Sequence, residues 1–170
     1  MNCIISIDAL SQLLDTDLPK RSKKAGMSLF YPDLYKGPLL SPGTQKCLHY
    51  HQLHGNLHEM ACSEKVMERY HQGFIRCGYQ HRLSIEDYVA VAYAKDEGCV
   101  LLAGNGCQSR YAQKQGVEVM SLEELEQHVK RQRQVRDRKA RLKAYLLGPE
   151  NQNTPEKQPK LQSIDDDTAV

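Results

Sequence analysis

Residues 83–120 read LSIEDYVAVAYAKDEGCVLLAGNGCQSRYAQKQGVEVM, and the order of elements within them decides the fold. Ser84-x-x-Asp87 is a capping-box pattern with Asp in place of Glu, and it predicts a helix running to Glu97. Gly98 is the residue that stops such a helix, because it takes the left-handed conformation at no steric cost. Cys99-Val100-Leu101-Leu102-Ala103 is a continuous apolar run between glycines, as a strand buried on both faces reads. Gly104-Asn105-Gly106 predicts a tight turn with Asn105 in the left-handed region. A helix then runs to Gln115 and stops at Gly116, and Val117-Glu118-Val119 is a second short strand. Helix, strand, helix, strand is the rhythm of parallel strands joined by crossover helices.

Working outward, Ser121-x-x-Glu124 is a full capping box that opens a long helix, which Gly148-Pro149 terminates. At the other end, Cys3–Ile7 is an apolar run that finishes at Asp8. The spacing of Leu10, Leu13 and Leu14 after it predicts a strand feeding a helix. Residues 17–28 are polar and basic, with Pro19 and Gly26, and read as a loop. Leu29–Leu40 is interrupted by Pro32, Gly37 and Pro38 and reads as no single element. Pro42-Gly43 reads as a turn and Thr44–Leu53 as a helix. After the break at Gly55-Asn56, Ser63 caps a helix to about residue 77, closed by Gly78. The fold class is therefore α/β: a central, mostly parallel sheet holding strands 3–7, 99–103 and 117–119, with helices on both sides. One domain is expected over 1–148, followed by a tail at 149–170 too poor in apolar side chains to offset the entropy of ordering.

The bulk properties exclude several classes. A chain of 170 residues with 40% hydrophobic and 26% charged residues is an ordinary globular protein. No apolar run is long enough for a membrane span, and the first residues lack the basic region of a signal peptide, so a cytoplasmic protein is expected. The six cysteines are scattered without a CxxC, which reads as free thiols in a reducing compartment. The net charge of +2 hides a strong asymmetry. Lys130–Lys143 holds eight Lys or Arg and one acid, Asp137, a net +7, whereas Glu150–Val170 holds five acids and two lysines, a net −3. The cationic stretch self-repels and is what phosphate-backbone binding requires, so Lys130, Arg131, Arg133, Arg136, Arg138 and Lys139 are the expected nucleic-acid contacts. Val135, Leu142 and Leu146 form a narrow apolar stripe along the same helix.

Leu83-Ser84-Ile85-Glu86-Asp87, Ala90–Lys95, Gly98–Leu102, Gly104, Tyr111-Ala112 and Gly116–Val119 together resemble the C-terminal half of PIN domains. These are the fold of the VapC-like toxins of toxin–antitoxin pairs and of related metal-dependent ribonucleases. The resemblance implies a three-layer α/β/α fold. It implies a hydrolase that cleaves RNA with Mg²⁺ or Mn²⁺ held by clustered carboxylates, since hard cations want oxygen ligands and the metal generates the nucleophile from bound water. RNA is then the substrate, and a small antitoxin-like protein and a second copy of this chain are the implied partners.

Carried over residue by residue, the resemblance assigns Asp8 and Asp87 as catalytic and Asp8, Asp87 and Asn105 as the metal set. The chain departs from the family pattern at three places. Ala9-Leu10 follow Asp8 where a small polar pair belongs. No acid lies around Pro42–Cys47, where a Glu on a middle helix is expected; Asp33 comes before that place and Glu59 after it. Ala103-Gly104-Asn105 stands where the family has Thr-Gly-Asp, so a carboxylate has become an amide. Two functions stay open on these residues: a weakly active Mg²⁺- or Mn²⁺-dependent endoribonuclease of the toxin type, and a catalytically inactive PIN-fold module that binds RNA or protein. A third reading is an unrelated α/β domain with a zinc-type site. Cys47, His51, His54, His58 and Cys62 are spaced 4, 3, 4 and 4, one stripe on an unbroken helix, although Gly55-Asn56 falls inside it.

Overall fold

The computed structural model describes residues 1–35, 40–61, 64–77 and 82–146. The tail at 149–170, Gly148-Pro149, Ser63, Gly78 and Cys62 all lie outside these residues. Five strands form one parallel sheet in the order β3-β2-β1-β4-β5. They are β1 (Asn2–Ile5), β2 (Ser28–Pro32), β3 (His58–Met60), β4 (Val100–Leu102) and β5 (Val119–Met120). Among the described residues, seven α-helices and a 3-10 turn at Asp33–Tyr35 connect and cover them: α1 (Ile7–Leu14), α2 (Leu18–Lys24), α3 (Pro42–Leu53), α4 (Glu64–Cys77), α5 (Ile85–Asp96), α6 (Gly106–Lys114) and α7 (Leu122–Leu146). The expected α/β architecture with a central parallel sheet is what the chain adopts.

Alternation along the central strands builds the layers. Cys3, Ile5, Leu29, Tyr31, Val100 and Leu102 face one core, with Leu10 and Leu13 of α1, Leu48 of α3, and Leu125 and Val129 of α7. Ile4, Phe30 and Leu101 face the other, against Ala90, Val91 and Ala94 of α5 and Tyr111 and Ala112 of α6. Tyr70 of α4 packs on Val89 and Tyr93 of α5 behind that layer. Helices stand between all successive strands, as parallel pairing requires.

Several local expectations change. The first strand ends at Ile5, not Ile7, because Ser6 caps α1: its Oγ accepts from Ala9 N at 3.2 Å. Residues 17–28 are not a loop. Pro19 sits in the first turn of α2, where its missing N–H costs nothing, and Leu18, Pro19 and Ser22 are buried. Leu29–Leu40 conceals β2, which tolerates Pro32 because that residue is its last. The sequence HEM of β3 is a short polar edge strand with no apolar signal to read. Asn105 is not left-handed; its φ of −141° and ψ of 157° make it the extended N-cap of α6. The Ser121–Glu124 box forms as expected, with Ser121 N donating to Glu124 Oε2 at 2.8 Å and Glu124 N to Ser121 Oγ at 3.2 Å. The structure divides into two compact units, Met1–Gln134 and Val135–Val170. The first holds the whole sheet; in the second, the described residues 135–146 are the C-terminal part of α7.

Candidate functional site

The connections out of β1 and β4, which are neighbours, leave toward opposite faces of the sheet. After β1 the chain enters α1 on one face, and after β4 it enters α6 on the other. A crevice at the carboxyl ends of two such strands is where open α/β sheets place their ligands. Asp8 lies in the first turn of α1, Asn105 caps α6, and Asp87 lies in the first turn of α5, the helix that leads into β4. The three residues that the resemblance picks out therefore converge at one point, each at a helix N-terminus.

Their contacts are specific. Asn105 Nδ2 donates to Asp8 Oδ2 at 2.9 Å, and the same side chain lies near enough to Asp87 to favour its ionised form. Ionised carboxylates only accept, so the amide nitrogen is the group turned to the acids. The amide oxygen is engaged elsewhere: it accepts from Gln108 N at 2.8 Å and so caps α6. Ser84 Oγ, the cap of α5, accepts from Asp87 N at 3.1 Å.

Asp8 is exposed, whereas Asp87 is 8% exposed and Gln108 wholly buried. Gln108 Nε2 reaches the Asp87 carbonyl at 3.4 Å, and Asp87 Oδ1 and Gln108 Oε1 have no hydrogen-bond partner. Burial raises the Asp87 pKa above the ordinary carboxylate value, and the nearby Asp8 charge adds to the rise. The hydrogen bonds from Ser84 and Asn105 work against it.

Two residues that the sequence did not single out hold the crevice together. Ser6 is fully buried and accepts a second bond, from Gly104 N at 2.9 Å, which ties the β4–α6 turn to the start of α1. A Cβ on Gly104 would lie 2.5 Å from Ala9 N and against Asp8 Cβ, so only glycine fits this close backbone approach. A serine directly after an apolar run was the signal for the first; nothing local marks the second.

Other predicted features fall elsewhere. Asp33 follows β2 at the same sheet edge, but among the described residues no three His, Cys, Asp or Glu side chains gather as a metal-binding group. The histidine stripe is split: His51 is buried in α3 and bonds Asn56 Nδ2 at 3.3 Å, His54 caps the end of that helix, and His58 belongs to β3. Lys130, Arg131, Arg133, Arg136, Arg138 and Lys139 are all exposed on α7. That helix starts beside the carboxyl end of β5 and runs back along the sheet. The ion pair of its Glu126 with Arg21 of α2, at 3.6 Å, marks that direction, because α2 leads to the start of β2. Lys130 and Arg133 are thus carried about 13 to 18 Å from the crevice edge at 1.5 Å per residue.

The class defined by these observations is a doubly wound α/β protein with a paired-carboxylate crevice at its topological switch point. No family model and no curated protein matches the chain. Among the described residues no helix is long and apolar enough to cross a membrane.

Proposed function

We propose that this chain is a PIN-like RNA-binding module of the cytoplasm in which the ribonuclease centre is degenerate. The observation that carries the reading is the Asn105 amide. Its N–H donates to Asp8, where the resemblance implies a third carboxylate facing a dication, and its oxygen accepts from Gln108 N. The two carboxylates also sit at the positive ends of α1 and α5, which offset part of their charge. Two acids, one of them with a raised pKa, and a donor to Asp8 fit a resident Mg²⁺ or Mn²⁺ poorly. RNA contact is assigned to Lys130, Arg131, Arg133, Arg136, Arg138 and Lys139 on the strength of their charge density.

A second reading, an active Mg²⁺- or Mn²⁺-dependent endoribonuclease of the toxin type with an antitoxin-like partner, is favoured by one observation. Asp87 Oδ1 is buried without a donor, and a bound cation would satisfy it. One experiment separates the two. Wild type, Asn105→Asp and Asp87→Ala are incubated with a mixed RNA pool and Mn²⁺, and thermal unfolding is followed with and without the metal. The wild type is expected to bind RNA, to cleave none, and to gain no stability from Mn²⁺. Asn105→Asp is expected to gain stability, about 2.7 kcal/mol at a hundredfold excess of metal over its dissociation constant. Cleavage by the wild type that chelation and Asp87→Ala both abolish would establish the active reading instead. Failure to bind RNA at low salt would remove the RNA assignment.

A further inference from the structure

The C-terminal part of α7 carries exposed apolar side chains that RNA binding does not use. Val135, Leu142, Tyr145 and Leu146 are 48, 56, 86 and 73% exposed. Val135, Leu142 and Leu146 lie on one face, and Arg138, Lys139 and Lys143 line the same shallow surface on either side of them. All six residues belong to this one helix. A stripe with spacing 7 and 4 is the narrow seam by which one helix packs on another.

We propose that this face docks an acidic amphipathic helix of a partner protein. Apolar side chains of that helix seat on Val135, Leu142 and Leu146, and its flanking carboxylates meet Arg138, Lys139 and Lys143. Charge complementarity selects the occupant. From Lys130 to Lys143 the helix carries +7, so a second copy of the chain would bring like charge against like. RNA phosphates match the cations but leave the leucines in water. An anionic membrane wants a broad apolar face with aromatic anchors; here Tyr145 is the one aromatic residue between Lys130 and Leu146. The inference goes beyond the RNA reading and stands without it.

The test uses the full chain and a fluorescent synthetic peptide of about three heptads, with Leu at its a and d positions and Glu at e and g. Anisotropy is measured for wild type, Leu142→Ser/Leu146→Ser, and Arg138→Glu/Lys139→Glu, with circular dichroism verifying that each variant is folded. The wild type should bind the peptide and bind polyglutamate of equal length at least tenfold more weakly. Each lost leucine should weaken binding by about tenfold. The charge-reversed variant should lose the Glu peptide and bind a Lys-flanked version instead.

Equal affinity for polyglutamate, or peptide binding unchanged in the serine variant, overturns the proposal. So does displacement of the peptide by single-stranded RNA with wild type and serine variant alike, which would assign the face to nucleic acid. A dimer in sedimentation that the serine substitutions dissolve would assign it to a second copy. Preferential partition into phosphatidylserine vesicles would assign it to a membrane. Peptide binding that appears only in Asp165→Asn/Asp166→Asn/Asp167→Asn would assign it to the chain's own acidic segment.

Discussion

Gly104→Ala tests whether the crevice is held by backbone contact between the β4–α6 turn and the start of α1. The added methyl would lie 2.5 Å from Ala9 N and 2.8 Å from the Asp8 carbonyl carbon, both backbone atoms that no rotamer change can move. Relief requires the turn and α1 to separate, which strains two central elements and costs about 1 to 3 kcal/mol. Separation also breaks the 2.9 Å bond from Gly104 N to the buried Ser6 Oγ, worth about another 1 kcal/mol. The expected loss is therefore about 2 to 4 kcal/mol, or about 5 to 15 °C in melting temperature for a domain of this size. Gly106→Ala is the control: nothing lies within 4 Å of its Cβ, and it is the first residue of α6. It should be neutral or slightly stabilising, by less than about 1 kcal/mol. Urea denaturation of the two variants beside the wild type measures both. A loss below about 0.5 kcal/mol for Gly104→Ala, the level of an ordinary surface substitution, would refute the close packing of α1 on this turn.

Two further outcomes follow from the carboxylate pair. Asn105→Ala removes the cap of α6 and the donor to Asp8; a loss of about 1 to 2 kcal/mol is expected, and added salt should restore part of it by screening the repulsion between Asp8 and Asp87. A loss independent of salt in denaturant titrations would mean that the amide only caps the helix. The folded-state pKa of Asp87 is raised, so the folded chain binds its proton more tightly than the unfolded chain does. Stability should then rise as pH falls from neutral through the window just above the ordinary Asp value, and Asp87→Asn should flatten that rise. An identical pH profile for the two proteins would contradict the burial of this carboxyl.

The second half of the chain was legible because its signals are local. Ser84, Ser121, Gly98 and Gly116 each act within one turn of helix, and Val100–Leu102 is apolar on both faces because both faces are covered. The first half hid two strands. β2 ends in proline, and β3 is three polar or half-buried residues on an edge, so each owes its conformation to pairing with a neighbour rather than to its own pattern. Asp8, Asp87 and Asn105 were identifiable as candidates, but which atom of Asn105 faces the acids depends on the cap it provides to Gln108. That is a property of where α6 begins, not of any motif.

The two charged features of the chain are the cationic stretch of α7 and the pair Asp8 and Asp87. A cationic helix serves a nuclease centre when its field reaches the carboxylates and draws the substrate across them. Here α7 leaves the carboxyl edge at Ser121 with Glu123 and Glu124 in its first turn, and Glu126 pairs with Lys130 at 3.1 Å. By Lys130 the helix has run about 13 Å, beyond the 8 to 10 Å over which exposed charges act at physiological ionic strength. Lys130, the first of the basic residues, is thus engaged within its own helix and largely screened from the start of α7. Among the described residues, the groups that balance the acids are the helix N-termini of α1, α5 and α6 and the Asn105 amide. Asp87 Oδ1 still has no donor among the described residues. Substituting Asn105 by Asp withdraws the donor and adds a third charge at once, so it acts on both sides of that balance.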